Sequence, residues 1–160
     1  MKNFLLLIII TINSNIYAQR YHIDKTVTYG DTITFLRTTM EPLNGIVFNE
    51  FGEIGKYIKG RVNGIYKDWY KTGQLYCKLY MINGINSGEA IYWHENGQLH
   101  MKGNYKKGKI EGLWTEWYDN GNTYREIPHI DGIVNGLYKL YHSNGKMAEL
   151  IMYKNGKRTR

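Results

Sequence analysis

Three columns of glycine, each repeating every 24 residues, constrain the fold of this chain more than any other feature. The columns begin at Gly64, Gly73 and Gly84, and each glycine recurs three more times at that interval. Such a period identifies tandem copies of one structural unit, which stack on each other to bury a continuous core. A shortened copy precedes them, with the glycines Gly45, Gly52 and Gly60. We therefore expect repeats over residues 44–158, in one degenerate and four full copies.

Each copy predicts two short β-strands separated by turns. The first turn carries Asn-Gly in three copies, and this dipeptide favours a two-residue hairpin because both residues tolerate positive φ. No stretch after residue 18 has helical periodicity. We expect an all-β fold, an extended antiparallel ribbon of tandem β-hairpins. The turn glycines, which should adopt positive φ, are Gly73, Gly97, Gly121 and Gly145 in the first turn and Gly84, Gly108, Gly132 and Gly156 in the second.

A two-residue first turn would fix the strand register. Tyr66 would then oppose Leu79, and Trp69 would oppose Tyr76. Side chains alternate across a strand, so this register collects aromatic residues on one face of the ribbon. Our candidate binding surface is this aromatic strip, with the residues Trp69, Trp93, Trp117, Tyr141, Tyr76 and Tyr124. The alternative is that stacked rings cover one another along the ribbon and serve packing alone.

The histidines do not predict a metal site. His94 and His142 share a repeat column but lie four strands apart, about 19 Å at the usual strand spacing, which is too far for shared ligation. The same register places His94 and His100 on opposite faces. We expect no metal and no cofactor.

Nothing in the sequence predicts catalysis. Cys77 should oppose Asp68 without a histidine that could act as its base. Glu116 and Glu126 do not face each other, as a pair of glycosidase carboxylates would. The sequence also lacks a nucleophile elbow, a phosphate-binding Walker loop and the zinc-protease motif. We therefore predict a protein that is not an enzyme, with no catalytic residues.

Residues 1–18 have the layout of a cleavable signal peptide. Lys2 precedes an apolar run from Phe4 to Ile12, and Ala18 supplies a small residue at the expected cut. The run is too short for a membrane-spanning helix. We expect export to the periplasm, the cell surface or the medium after cleavage near Ala18, with an uncut membrane anchor as the alternative.

A second hairpin is predicted before the repeats, in the segment 19–43. The turn signal Gly30-Asp31 lies between two β-branched stretches there. We expect this hairpin to cap the first edge of the ribbon, which would otherwise expose unpaired backbone groups. Residues 159–160 form a short tail.

The charge balance favours anionic partners. Lys and Arg number 21 against 14 Asp and Glu, and a positive surface speeds association with anions without identifying them. Basic residues are dense only in the C-terminal tail, which argues against a nucleic-acid site. The single cysteine, Cys77, has no partner for an intrachain disulfide.

The repeating unit resembles the bacterial MORN repeat variant. Its pattern Gly-x-Tyr-x-x-Trp-Tyr, followed by a turn glycine and leucine, appears from Gly64 to Leu75, and a close copy runs from Gly112 to Gly121. The resemblance covers residues 44–158. It implies an extended array of antiparallel hairpins used for binding or assembly, often in exported bacterial proteins and in a group labelled antitoxin-like.

The combined features predict an exported binding or scaffolding module for a protein or cell-envelope partner. Two alternatives stay open. One is antitoxin-like neutralisation of a partner toxin, which would require the cytoplasm. The other is binding of an envelope glycan or an anionic lipid surface, because Trp and Tyr rings stack on sugars and basic residues attract phosphates. The sequence does not predict an oligomeric state.

Overall fold

The computed structural model describes residues 19–29 and 33–159. The predicted signal peptide, residues 1–18, lies outside these ranges, as do residues 30–32, with the predicted turn signal Gly30-Asp31, and Arg160. In chain order the strands are β1 (Arg20–His22), β2 (Thr26–Tyr29), β3 (Ile33–Leu36), β4 (Gly45–Asn49), β5 (Gly52–Ile58), β6 (Arg61–Trp69), β7 (Leu75–Ile82), β8 (Ile85–Trp93), β9 (Leu99–Lys106), β10 (Lys109–Trp117), β11 (Thr123–Ile130), β12 (Ile133–Val134), β13 (Gly136–Tyr141), β14 (Met147–Lys154) and β15 (Lys157–Arg158). A short 3-10 helix spans Ile23–Lys25. No helix in the part of the chain that the structure describes is long and apolar enough to cross a membrane.

Thirteen of the strands form one sheet, in which chain neighbours pair from β4 to β12, β11 also pairs with β13, and pairing continues from β13 to β15. The predicted all-β ribbon of tandem antiparallel hairpins is confirmed. One pairing departs from it, because β1 runs parallel to β4 at the first edge, with Tyr21 beside Val47. The strands β2 and β3 form a separate hairpin, so the first edge of the sheet is paired by β1 and not by that hairpin.

The second turn of each repeat is the two-residue hairpin turn. Asn83 and Gly84 both have positive φ, 51° and 76°, which is the type I′ geometry that matches strand twist. The amide of Gly84 donates to the carbonyl of Val62 at 2.8 Å, and the equivalent bond recurs in the later copies. These bonds connect each second turn to the first strand of its own repeat.

The first turn contains three residues, so the predicted two-residue turn is wrong. Gly73 donates its amide to the Tyr70 carbonyl, and Tyr70 donates to the carbonyl of Gln74, each at 2.9 Å. This is a type I turn followed by a glycine bulge, the next most common hairpin connection. The Asn-Gly signal was ambiguous because the glycine needs positive φ in both turn types.

Asparagine in the first turn uses its side chain instead of an unusual backbone. The Asn96 Oδ1 accepts from the amide of Gln98 at 3.0 Å. Its Nδ2 donates to the Asp119 carbonyl at 2.7 Å, in the turn of the following repeat. The asparagine column therefore connects neighbouring hairpins.

The extra turn residue changes the register close to the turn and leaves the rest of the hairpin unchanged. Tyr66 pairs with Leu79, as predicted, but Trp69 pairs with Leu75 and not with Tyr76. The register shifts between Asp68 and Trp69, which leaves Tyr76 as a bulge residue. Bulges redirect side chains, and this one determines which aromatic residues share a face.

A small apolar core lies at the N-terminal end. Leu43, Val47 and Ile54 are its buried residues, and Trp69 packs against them from the first full repeat. The β2–β3 hairpin is held there by the amide of Thr34, which donates to the Gly60 carbonyl at 2.8 Å. The shortened copy is therefore held by two elements, the first full repeat and the β2–β3 hairpin.

Candidate functional site

The two faces of the sheet differ in burial. Residues that pair directly share a face, so the pairings of Tyr66, Leu79, Ala90 and Gly103 define one row across the sheet. On this face Ala90 is 1% exposed and Trp114 is 5% exposed. We call it the packed face. The opposite face, which bears Lys67 and Lys78, is called the open face.

Beyond the β2–β3 hairpin, which contacts the N-terminal end of the packed face through Thr34 and Tyr57, aromatic rings cover this face. Tyr76 contacts Tyr92 with ring centroids 5.8 Å apart, Tyr92 lies 6.4 Å from Trp114, and Tyr105 lies 5.5 Å from the same indole. The Trp114 indole lies directly over Gly103. Burial raises the pKa of Tyr105, and burial together with neighbouring groups raises that of Tyr92. These phenols stay neutral at physiological pH. Because the rings contact one another along the face, they cover it themselves.

The structure divides the predicted aromatic strip between the two faces. Tyr76 lies on the packed face, with its ring 5.1 Å from Tyr70. Tyr124 lies 4.9 Å from Tyr118, and the Arg125 guanidinium stacks over its ring at 5.1 Å. The prediction that Tyr76 and Tyr124 share a face with the tryptophans is wrong, because the bulge beside each first turn redirects them.

The remaining members of the strip form one row on the open face, the aromatic row. Strand alternation directs these four side chains to the side opposite the packed-face residue before each of them. All four are half-buried, and Trp69, at the N-terminal end, also packs against the core of Leu43, Val47 and Ile54. The aromatic row consists of Trp69, Trp93, Trp117 and Tyr141. Their role in binding stays a prediction.

His94 and His100 share a face, so their predicted separation is wrong for the same reason. Their ring centroids lie 4.2 Å apart. The Nε2 of His94 lies 2.9 Å from the Trp117 carbonyl and donates to it. Burial and the neighbouring His94 lower the pKa of His100, although Glu116 opposes this shift. No cluster of three or more metal-ligating side chains occurs within residues 19–29 and 33–159.

One column of the repeat connects successive hairpins through its side chains. The sequence analysis did not identify this role. Tyr70 donates its hydroxyl to the Trp93 carbonyl at 2.9 Å, and Tyr118 does the same to Tyr141. His94 occupies the equivalent place. Tyr and His alternate in this column because each brings a donor to the same carbonyl. The signal was visible as a column of long polar rings at the 24-residue period.

The packed face also holds Cys77, the thiol for which the sequence predicts no catalytic base. Cys77 is 3% exposed and pairs with Asp68, as predicted. Burial, together with the Asp68 charge, raises the pKa of Cys77 to about 11. A thiol with this pKa is protonated near neutral pH and unreactive.

The acidic residues form ion pairs and not a catalytic dyad. Glu116 is 9% exposed, and both of its oxygens lie 2.9 Å from Arg125 nitrogens. Glu126 pairs with Lys139 at 2.7 Å on the open face. The prediction that these two glutamates do not face each other is confirmed, since Glu126 opposes Thr115.

The open face exposes large apolar side chains. Leu113 is 52% exposed and Leu137 is 40% exposed. The exposed apolar side chains nearest the middle of this face are Ile65, Tyr80, Leu113, Leu137, Leu150 and Met152. Exposed apolar groups that are contiguous over such a face mark interaction sites more often than single exposed residues do.

Most of the basic residues also lie on the open face, where they outnumber the acids. Strand pairing and alternation assign to it the basic residues Arg20, Lys56, Arg61, Lys67, Lys78, Lys102, Lys106, Lys109, Lys139, Lys154 and Lys157. The acids on the same face are Glu53, Glu89, Glu111 and Glu126. The packed face carries Asp68, Glu116, Arg125, Glu149 and Arg158. The positive charge of the sheet is therefore on the face that remains uncovered.

Three pairs of lysines lie directly opposite each other on neighbouring strands of the open face. They are Lys67 with Lys78, Lys106 with Lys109, and Lys154 with Lys157. Like charges at directly opposed positions destabilise a sheet. These three pairs concentrate positive charge on the open face.

Comparison with known proteins identifies the repeat. The profile described as "MORN repeat variant" matches residues 62–83, 87–107, 110–131 and 134–155. Each match spans one hairpin with the first turn at its centre and ends near the second turn. The shortened copy is outside the match, so the matched region is narrower than the predicted residues 44–158. No curated protein matches the chain. Because the four matches cover more than half of its 160 residues, the chain belongs to the MORN repeat variant family, whose repeats generally serve binding or scaffolding and not catalysis.

Proposed function

We propose that this protein is an exported, non-enzymatic binding module that holds an anionic partner on its open face. The observation that carries this proposal is the difference between the two faces. One face covers itself with its own rings, and the other leaves apolar and basic side chains exposed together. Aromatic and apolar anchors surrounded by charge are the usual composition of an interface.

Charge selects among the possible partners. A second copy of the chain stacked face to face would place the lysines of one open face against those of the other. Such like-charge contacts weaken binding by several kcal/mol. An anionic partner would instead relieve the repulsion between opposed pairs such as Lys67 and Lys78. Such a partner also associates faster, and the gain falls as ionic strength rises.

Export rests on the sequence of residues 1–18. Lys2, the apolar run from Phe4 to Ile12 and Ala18 support cleavage by a signal peptidase. N-terminal sequencing of the protein from a native-like host should give Gln19 as the first residue. A full-length cytoplasmic protein that begins at Met1 would contradict export and would favour the antitoxin-like alternative.

A cross-linking experiment tests the assignment of the open face. A photo-reactive residue is placed singly at Leu113, at Leu137 and, as an exposed control away from the face, at Lys71 in a first turn. In intact cells the two open-face positions should give the same adduct, and the turn position should give none. Adducts from Lys71 alone, or none from either open-face position, would refute the proposed binding face.

A further inference from the structure

The aromatic row has a regular spacing along the ribbon. Trp69, Trp93, Trp117 and Tyr141 lie at equivalent places on β6, β8, β10 and β13, so neighbouring rings are separated by two strands. At the usual distance between strands this is about 9.6 Å. That length is close to one disaccharide unit of a β-1,4-linked glycan, whose sugar faces stack on aromatic rings. The row runs across the strands, along the length of the ribbon.

Basic side chains lie beside this row. Lys67 is two residues before Trp69 on the same strand, which places it about 7 Å away on the open face. Lys67 opposes Lys78, and neither forms an ion pair among the residues that the structure describes, although Lys78 adds to the effect of Lys102 in lowering the pKa of the Glu89 carboxyl. Lys102 lies on β9, between the strands of Trp93 and Trp117, and forms an ion pair with Glu89 at 2.9 Å. The strongest anion site along the row is therefore at Lys67 and Lys78.

We propose that the occupant of the open face is an anionic β-1,4-linked glycan. Its chain crosses the strands along the aromatic row, with Trp93, Trp117 and Tyr141 each under one disaccharide, and it ends at Trp69, which also packs against the N-terminal core. Its carboxylate or phosphate groups bind Lys67 and Lys78 and compete with Glu89 for Lys102. The inference rests on the proposed function, which requires only some anionic partner on this face.

The geometry favours a single glycan chain over other anionic partners. Neighbouring strands are rotated by about 20–25°, so successive rings are rotated by roughly twice that angle, which suits one flexible chain and not a flat crystalline surface. A lipid bilayer that buried Ile65 and Leu113 would also desolvate Lys67 and Lys78, which lie between the apolar side chains and the aromatic row. An acidic polypeptide satisfies the lysines but has no repeat that corresponds to the ring spacing.

Affinity electrophoresis of the purified protein in native gels tests the inference. The probes are carboxymethylcellulose, which is an anionic β-1,4 glycan, its neutral analogue hydroxyethylcellulose, poly-L-glutamate, and vesicles containing phosphatidylglycerol. Carboxymethylcellulose should retard the protein most. Trp93→Ala and Trp117→Ala should each weaken that binding by about tenfold, the effect of losing one anchor residue, and Trp117→Phe should retain most of it.

Matched lysine variants separate stacking from charge. The double variant Lys67→Gln with Lys78→Gln should reduce carboxymethylcellulose binding to the level of the neutral analogue. Lys71→Gln, which removes an exposed lysine from a turn, should leave binding unchanged. Circular dichroism confirms that each variant is folded, and the phenylalanine variant keeps the test valid if an alanine variant unfolds.

The outcomes distinguish this inference from the proposed function. Equal or stronger retardation by poly-L-glutamate, or by vesicles, together with loss of that retardation in the lysine double variant, would overturn the glycan inference and leave the open face as an anion-binding surface. No retardation by carboxymethylcellulose would also overturn the glycan inference, whatever the cross-linking experiment shows. Retention of glycan binding in all the tryptophan and lysine variants would overturn both.

Discussion

Gly103→Ala is the most direct test of which face is packed. Gly103 lies in the interior of β9 and does not have positive φ. At such a position alanine normally stabilises a protein by about 0.4–1 kcal/mol, because it reduces the freedom of the unfolded chain. The structure predicts the opposite sign, since an added Cβ would collide with the indole of Trp114.

The expected magnitude follows from the surroundings of the indole. Trp114 is 5% exposed and has ring neighbours on both sides, so it cannot move aside without losing contacts with Tyr92 or Tyr105. Overpacking of a filled site costs about 1–3 kcal/mol. We therefore expect Gly103→Ala to lower the free energy of unfolding by about 1–2 kcal/mol after the favourable chain term is subtracted.

Urea unfolding followed by circular dichroism measures this effect. The paired control is Gly103→Ala in a Trp114→Leu background, where the smaller side chain leaves room for the new methyl group. There the substitution should be neutral or stabilising. A wild-type or raised midpoint for Gly103→Ala alone would show that Trp114 does not lie over Gly103 and would refute the assignment of the packed face.

Three further predictions address the turns, the thiol and the open face. Gly97 has φ of 85°, so Gly97→Val should lower the free energy of unfolding by about 1–3 kcal/mol; an unchanged denaturation midpoint would contradict the turn geometry. Cys77, with a pKa of about 11 against an ordinary 9.0, should not react with a thiol reagent at pH 8 until urea unfolds the protein, and rapid reaction of the folded protein would refute its burial. Lys67→Glu places an acid opposite Lys78 and should raise the free energy of unfolding by about 0.2–1 kcal/mol, a gain that salt reduces. A loss of stability in low salt would show that the opposed lysines are not strained.

The sequence predicted the ribbon correctly because the repeat supplies strong local signals. Glycines at Gly84 and its equivalents require positive φ, and the strand residues between turns are aromatic or β-branched. The pairing of Tyr66 with Leu79 also followed from counting outward along the strands. Both the ribbon and this pairing depend on interactions within a single hairpin.

The aromatic strip was predicted incorrectly because one extra residue in the first turn decides which face of the sheet the neighbouring side chains occupy. Asn-Gly fits a two-residue turn and a three-residue turn with a glycine bulge, and the two differ in whether Tyr76 lies with Trp69 or opposite it. The longer turn forms in all four copies, including the first, where Thr72 replaces the asparagine, and the last, which no further copy follows. The bond from the Asn96 side chain to the Asp119 carbonyl therefore stabilises this turn without selecting it, and the dipeptide alone does not distinguish the two turn lengths.

The same contacts between repeats explain why the two faces have different roles. Each hairpin uses Tyr70, His94 or Tyr118 to bind the backbone of the following hairpin, so rings on the packed face are required for stacking and cannot serve a partner without weakening the ribbon. Among the described residues, the side chains of the aromatic row form no hydrogen bonds of this kind to the following hairpin. Substitutions there change exposed charge and apolar area while the stacking bonds stay intact. Trp117→Ala should therefore destabilise the protein less than Trp114→Ala, for which about 3–5 kcal/mol is expected, and equal losses in urea unfolding would mean that the aromatic row also holds the repeats together.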